Sequence, residues 1–264
     1  MIYFLSDAHI GSRALIDRAA HQQQVCNLLM LLAADATEIY LLGDMFDYWY
    51  EYVWRKPQEY NLTLQTLRSL TERGIAVHYF TGNHDLWTFG WLEKQTGVIL
   101  HRHTEIMHIC GKRCLLSHGD GIGPSDLLSR YPKHLRRKIR RFMLLRSVFH
   151  NPLLQRLYAL VPPSLGDRLG YEWARRSRMK ELANPVEYLG ENKEALVLFA
   201  KEHEQKEHID YYIFGHRHIE LDLQLATGAR VIILGDMFRQ FTYACMNEQG
   251  EMSLLNIAEQ NIEL

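Results

Sequence analysis

Six short apolar runs in this chain each end at once on a turn, and each turn carries an acid, an amide or an imidazole. Ile2–Leu5 leads to Ser6-Asp7, Ile39–Leu42 to Gly43-Asp44, and Ala76–Phe80 to Thr81-Gly82-Asn83. Arg113–Leu116 leads to Ser117-His118, Tyr211–Phe214 to Gly215-His216, and Val231–Leu234 to Gly235-Asp236. Apolar runs this short, bounded by turn residues, read as buried strands. Helical patterns separate the first three. Residues 16–34 place Val25, Leu28, Leu29 and Leu32 at i, i+3, i+4 and i+7, and residues 60–73 stop at Gly74. Strands alternating with helices early, then hairpin-like strands, predict an α/β fold with a mixed sheet arrangement.

Composition narrows the class. The 264 residues are 47% hydrophobic and 23% charged, values of an ordinary soluble globular protein. The N-terminus runs straight into a strand without a basic stretch and cleavage site, and no run of about 18 uncharged apolar residues exists to span a membrane. Cys26, Cys110, Cys114 and Cys245 have no metal-site or disulfide spacing. Cys110 and Cys114 are expected as packed strand residues flanking a hairpin turn at Gly111-Lys112-Arg113. Free thiols fit a cytoplasmic protein.

The net charge of −1 hides a segregation. Between Pro124 and Lys180 there are 14 Lys/Arg against three acids, so this segment suits an anionic partner. From about 124 to 200 the chain is helix-rich and cut by Pro132, Pro152, Pro162, Pro163 and Pro185. Leu135, Ile139, Phe142 and Phe149 give one helix an apolar face, and Arg136, Arg137, Lys138, Arg140 and Arg141 cover the rest. The expectation is a cap inserted into one domain spanning 1–264, because the segment's own core would be small.

Ligands of α/β sheets gather at the carboxyl ends of strands, where this chain concentrates its polar residues. They form Asp7-x-His9, Gly43-Asp44, Gly82-Asn83-His84-Asp85, His118-Gly119-Asp120 and Gly215-His216-x-His218. Carboxylate, imidazole and amide oxygen together suit Mn²⁺, Fe²⁺ or Zn²⁺. Side chains two apart, as in Asp7/His9 and His216/His218, share a direction if the backbone is extended. Each residue alone reads as a turn or cap; the set in order reads as a site. Asp47, Asp120 and Asp236 read instead as loop caps or supporting hydrogen-bond partners. The remaining histidines carry no partner pattern.

The ordered series D-x-H, GD-x-x-D (Gly43 to Asp47), GNHD, HGD and GH-x-H resembles the calcineurin-like metallophosphoesterase superfamily. That resemblance implies a sandwich of two sheets flanked by helices, and two divalent metal ions, manganese foremost. It assigns Asp7, His9, Asp44 and His218 to one ion, and Asp44, Asn83, His118 and His216 to the other, with Asp44 bridging. Two such ions about 3.5–4 Å apart can activate water and clamp the phosphoryl oxygens of an in-line displacement. His84 is placed to stabilise the transition state or protonate the leaving oxygen, and Asp85 is expected to orient it.

LSDAHIG at the N-terminus, Gly-Asp-Met-Phe-Asp-Tyr-Trp from Gly43, His-Gly-Asp-Gly from His118 and the basic apolar insertion are similar to the UDP-2,3-diacylglucosamine pyrophosphatase family of lipid A biosynthesis. In that family the insertion lies over acyl chains, and hydrolysis gives UMP and a lipid monosaccharide phosphate. The family's best-known members carry Arg where this chain has His84. A greasy, basic insertion also suits peripheral contact with an anionic inner-membrane face from the cytoplasm. Arg137, Arg141, Arg175, Arg176 and Arg178 are candidate substrate contacts. The same metals would serve a phosphatase or phosphodiesterase acting on nucleotides or nucleic acid, but Tyr131, Phe142, Phe149 and Tyr158 form no stacking series. A non-catalytic scaffold of the same fold fits poorly with seven ligands and His84 all present. No sequence feature fixes the oligomeric state.

Overall fold

A computed structural model of the chain describes residues 1–57, 59–184 and 186–260; Pro185 and the side chain of Phe142, both invoked above, lie outside the described residues. The order runs β1 (Ile2–Leu5), α1 (Arg18–Leu32), β2 (Glu38–Leu42), α2 (Asn61–Glu72), β3 (Ala76–Phe80), α3 (Trp91–Thr96), β4 (Ile99–His101), β5 (Glu105–Ile109) and β6 (Lys112–Ser117). It continues with α4 (Lys133–Phe149), α5 (Pro152–Tyr158), α6 (Pro163–Ala183), α7 (Ala195–Glu204), β7 (Tyr211–Phe214), β8 (Glu220–Gln224), β9 (Arg230–Leu234), β10 (Thr242–Met246) and β11 (Met252–Asn256). All six apolar runs form strands to within a residue. Helix α1 begins where Asp17 caps it, its carboxylate accepting the Ala20 N–H at 2.8 Å. The hairpin falls one residue earlier than expected. Cys110 and Gly111 form its turn, with φ of 48° and 76°, so only Cys114 is a strand residue.

The strands make two sheets, β11-β10-β1-β2-β3-β4 and β5-β6-β7-β9-β8; the first is parallel from β1 to β4 and antiparallel at its β10-β11 end, and the second is parallel through its centre and antiparallel at both edges. Alternation along each strand builds the layers. Ile2, Phe4, Tyr40, Leu42 and Phe80 of the first sheet meet Cys114, Leu116, Ile213, Ile232 and Leu234 of the second. The opposite side chains, Tyr3, Leu5, Ile39, Leu41 and Val77, pack under Val25, Leu28 and Leu29 of α1 and Leu64 and Leu67 of α2. Outside the second sheet, Tyr212, Phe214, Val231 and Ile233 pack under Leu196, Val197 and Ala200 of α7. The expected two-sheet sandwich flanked by helices is what forms, and both sheets are buried on two faces.

Helices α4–α6 stand apart from these layers. They rest on an aromatic shelf from the loops after β2 and β3, where Tyr48, Tyr50, Tyr52 and Trp87 pack with Ala159 and Tyr171. The seat is close. A Cβ at Gly170 of α6 would lie 2.2 Å from a ring carbon of Tyr48, and one at Gly166 would lie 2.0 Å from the Tyr52 hydroxyl. Arg146 of α4 is ion-paired with Asp120 at 2.7 Å, and His150 lies 3.3 Å from the same oxygen. Among the described residues, no helix is long and apolar enough to cross a membrane.

Candidate metal centre

The loops at the carboxyl ends of β1, β2, β3, β6 and β7 converge, and their backbone is unusual. Asp7, His9, Asp44, His216 and His218 all have positive φ, between 45° and 67°. The expectation of extended backbone at Asp-x-His and His-x-His is therefore corrected: left-handed residues turn both side chains inward. Such conformations cost of order 1–3 kcal/mol each and persist only where the surroundings enforce them. Here the Asp7 N–H donates to the Gly43 carbonyl at 3.0 Å and the His9 N–H to the Asp44 carbonyl at 2.9 Å. Gly82 permits the crossing, since a Cβ there would lie 2.2 Å from Asp44 Oδ1.

Each central carboxylate is held by one oxygen and offers the other. Asp44 Oδ1 accepts the His84 N–H at 2.7 Å, leaving Oδ2 3.3 Å from His118 Nε2 and 3.9 Å from His9 Nε2. Asp7 Oδ2 accepts the His216 N–H at 2.8 Å, leaving Oδ1 3.1 Å from His218 Nε2 and 3.8 Å from His9 Nε2. His118 donates from Nδ1 to the Leu42 carbonyl at 2.8 Å, which fixes Nε2 as its inward lone pair. Asp7 Oδ1, Asn83 Oδ1 and His118 Nε2 are buried atoms without a hydrogen-bond partner. Buried acceptors facing one another without a donor are costly unless a cation lies between them. Asp7, His9 and His218 can point donor atoms within 4.8 Å of one another, as can Asp44, His118 and His216, and Asp44 also groups with His9 and His84. The residue types and their convergence fit two divalent ions sharing Asp44.

The electrostatics show a cluster that draws in positive charge, a proton or a cation. Burial would raise Asp44, but His118 and His84 beside it outweigh this and hold its carboxyl well below the usual range. Burial would depress His118, yet the Asp44 carboxylate lifts it to about 10. His84 and His216 are pushed down to about 4, in both cases mainly by burial. His84 donates from Nδ1 to the Asp47 carbonyl at 2.6 Å, so Nε2 is its free edge. This contact corrects the expectation for Asp85. Its carboxylate is taken by the Met45 N–H at 2.8 Å, the Gly82 N–H at 2.7 Å and the Tyr79 hydroxyl at 2.6 Å, so it ties loops rather than orienting His84. Asp236 caps its own loop, accepting the N–H groups of Phe238, Arg239 and Gln240.

A cavity of about 900 Å³ opens over Asp44, Asn83, His84, His216 and His218. Its far wall is the cap: Leu145, Val148 and Phe149 of α4, Leu154 of α5, and Leu169 and Trp173 of α6. Trp173 lies over His84 with ring centres 4.8 Å apart. Of the basic candidates only Arg178 lines this cavity, joined by Arg146, Lys180 and Arg217. Arg175 and Arg176 instead pair with Glu172 on the exposed side of α6, and Arg137 and Arg141 are exposed on α4 away from the cavity. Sequence reasoning missed Trp173 and Glu181. Leu169, Trp173, Ser177 and Glu181 recur every fourth residue on one helix face, a spacing that would have grouped them.

Known proteins carry the same arrangement of sequence. Residues 1–220 match the calcineurin-like phosphoesterase family. The UDP-2,3-diacylglucosamine hydrolase of Porphyromonas gingivalis is 36% identical over 254 residues, covering 92% of both chains. The enzyme of that name from Neisseria meningitidis serogroup A is 26% identical over 244 residues, 90% of both chains. Membership implies divalent metal ions at such a cluster. The chain belongs to the calcineurin-like phosphoesterase family and is a metal-dependent hydrolase.

Proposed function

We propose that Asp7, His9, Asp44 and His218 hold one divalent ion and Asp44, Asn83, His118 and His216 a second, with Mn²⁺ foremost and Fe²⁺ or Zn²⁺ compatible with the same donors. Such ions supply Lewis acidity toward phosphoryl oxygens and lower the pKa of water. The residues around them have separable tasks. Asp44 Oδ2 stands between the two sets of donors, as a shared ligand must. His84 presents Nε2 to the cavity while Asp47 holds Nδ1. To give a proton to a leaving oxygen it must be imidazolium, a state that an anionic phosphate against it favours and burial otherwise opposes.

The substrate we assign is UDP-2,3-diacylglucosamine, hydrolysed at its pyrophosphate to UMP and 2,3-diacylglucosamine 1-phosphate. One observation carries this reading: the cavity over the clustered donors is lined both by apolar cap side chains and by the cations Arg146, Arg178 and Lys180 of the cap and Arg217 of the body. Those apolar side chains suit acyl chains and those cations a pyrophosphate. The two relatives' names support the same substrate class. Helices α4–α6 form the substrate-facing cap, and α7, expected within it, belongs to the body. Exposed Leu144 and Leu153 and the α4 arginines support peripheral docking on an anionic inner-membrane face.

The test is turnover with Mn²⁺ on UDP-2,3-diacylglucosamine, a simple aryl phosphate diester and single-stranded DNA. UMP release confined to the lipid nucleotide is expected. DNA cleavage at an equal or higher rate would overturn the substrate and favour a phosphodiesterase of nucleic acid.

A further inference from the structure

Helix α6 of the cap reaches past the cavity into the cluster itself. Glu181 Oε1 lies 2.8 Å from His218 Nδ1, the ring nitrogen turned away from Asp7 and His9. Asp236 is the other carboxylate on that side, but its Oδ1 is occupied by three backbone N–H groups and its Oδ2 stands 3.6 Å off. Arg178, one turn earlier on α6, fixes the Glu181 carboxylate through an ion pair at 2.7 Å. Its Nη1 also lies 3.2 and 3.4 Å from the His218 ring nitrogens. Arg178 is buried and Glu181 nearly so, which is uncommon for an Arg–Glu pair on one helix.

We propose that Glu181 is a positioning residue for His218: the cap supplies the outer carboxylate that orients a metal ligand of the body. The inference rests on the metal reading above. Outer carboxylates on ligating imidazoles fix the tautomer and raise the ligand's basicity, and losing one typically costs about 10–100-fold in metal affinity. The placement on α6 adds a consequence. The helix whose face lines the substrate cavity also completes one metal site, so metal affinity and cap seating are thermodynamically linked.

The experiment is calorimetric titration of the metal-free full chain with Mn²⁺, alongside the visible absorption of the Co²⁺-substituted protein as a report on coordination. Wild type is expected to bind two ions. Glu181→Ala should weaken one of the two steps by about 10–100-fold and alter the Co²⁺ spectrum. Glu181→Gln, which keeps an acceptor oxygen for the Nδ1–H, should stay within a few-fold of wild type. Glu172→Ala, which removes an exposed ion-pair partner from the same helix, should change neither. Glu181→Met keeps the volume and replaces the alanine variant if that one fails to fold. Unchanged affinity in Glu181→Ala or Glu181→Met, or an equal loss in Glu181→Gln, would overturn the assignment. A wild-type chain binding fewer than two ions would instead overturn the metal reading, and Glu181 with it.

Discussion

The two-sheet body and the helical cap hold their apolar side chains in opposite ways. In the body, Phe4, Leu5, Trp49, Tyr79 and Tyr212 are inaccessible, and the clustered donors sit on loops pinned by backbone hydrogen bonds between neighbouring strands. In the cap, Leu144 is 68% exposed, Leu153 67% and Leu169 56%, and the helices meet the body through a tyrosine shelf and a few ion pairs. A preformed, strained centre and a cover whose own apolar side chains stay exposed suit different tasks. In the proposed reading the body's task is to fix where charge develops in a reaction, and the cap's is to select what enters. Substitutions should therefore separate into those that lose chemistry and those that lose substrate.

The largest effect belongs to the body. His118→Ala should lower turnover by about 10³-fold or more, because an emptied site removes several kcal/mol of charge stabilisation. Elemental analysis should then find one ion per chain in place of two. His84→Ala makes the contrast: a loss of about 10²–10⁴-fold with both ions retained. Near-normal turnover of His118→Ala with two bound ions would refute the ligand set.

The cap should fail differently. Gly170→Ala places a methyl against Tyr48 where the space is already filled. Overpacking of this kind costs about 1–3 kcal/mol. Its effect should fall on kcat/KM for the lipid nucleotide, about ten- to a hundred-fold, with turnover of a small aryl phosphate diester largely kept when Mn²⁺ is saturating. Equal losses on both substrates would mean that cap and body act as one unit, and the division drawn above would not stand.

Much of the body was legible because local sequence and tertiary burial agree there. An apolar run ending on Gly-Asp or Gly-His names both a buried strand and its functional end, as at Ile39–Asp44 and Tyr211–His216. The edge strands were harder: β8 alternates exposed and half-buried residues, and β4 is three residues long. The left-handed backbone at Asp7 and His9 was invisible, since non-glycine residues reach it only when hydrogen bonds from a neighbouring loop impose it. Asp85 was misread for the same reason. Its neighbour in sequence is His84, but its partners come from β3, the turn that follows it and the loop after β2. In the cap, charge density drew the eye to Arg137, Arg141, Arg175 and Arg176, whereas helical phase decides which residues face the cavity.

Asp85 also gives a smaller test of the body. Burial, and then the Asp44 charge, raise its carboxyl from 3.8 to about 6 in the metal-free chain. A carboxyl raised on folding stabilises the folded state at low pH, and that contribution is lost as pH rises through the folded value. In chelator-treated protein the gap in Tm between wild type and Asp85→Asn should thus change between about pH 4 and 6, wild type losing ground as pH rises. A gap that widens in wild type's favour over that window would contradict burial as the cause.

The smallest effect is expected where the cap faces outward. Arg137 and Arg141 touch neither the cavity nor the clustered donors, so Arg137→Ala/Arg141→Ala should leave turnover of substrate in detergent micelles unchanged. Each arginine near an anionic surface strengthens binding by about five-fold, an effect that salt screens within a Debye length. Co-sedimentation with vesicles rich in anionic phospholipid should therefore weaken by about 25-fold in the double variant at low salt, and the difference should shrink as salt is added. Unchanged sedimentation would mean that these arginines are only a solvated helix face. A fall in micellar turnover would mean instead that α4 reaches the bound substrate, and the outward side of the cap would then share the inward side's task.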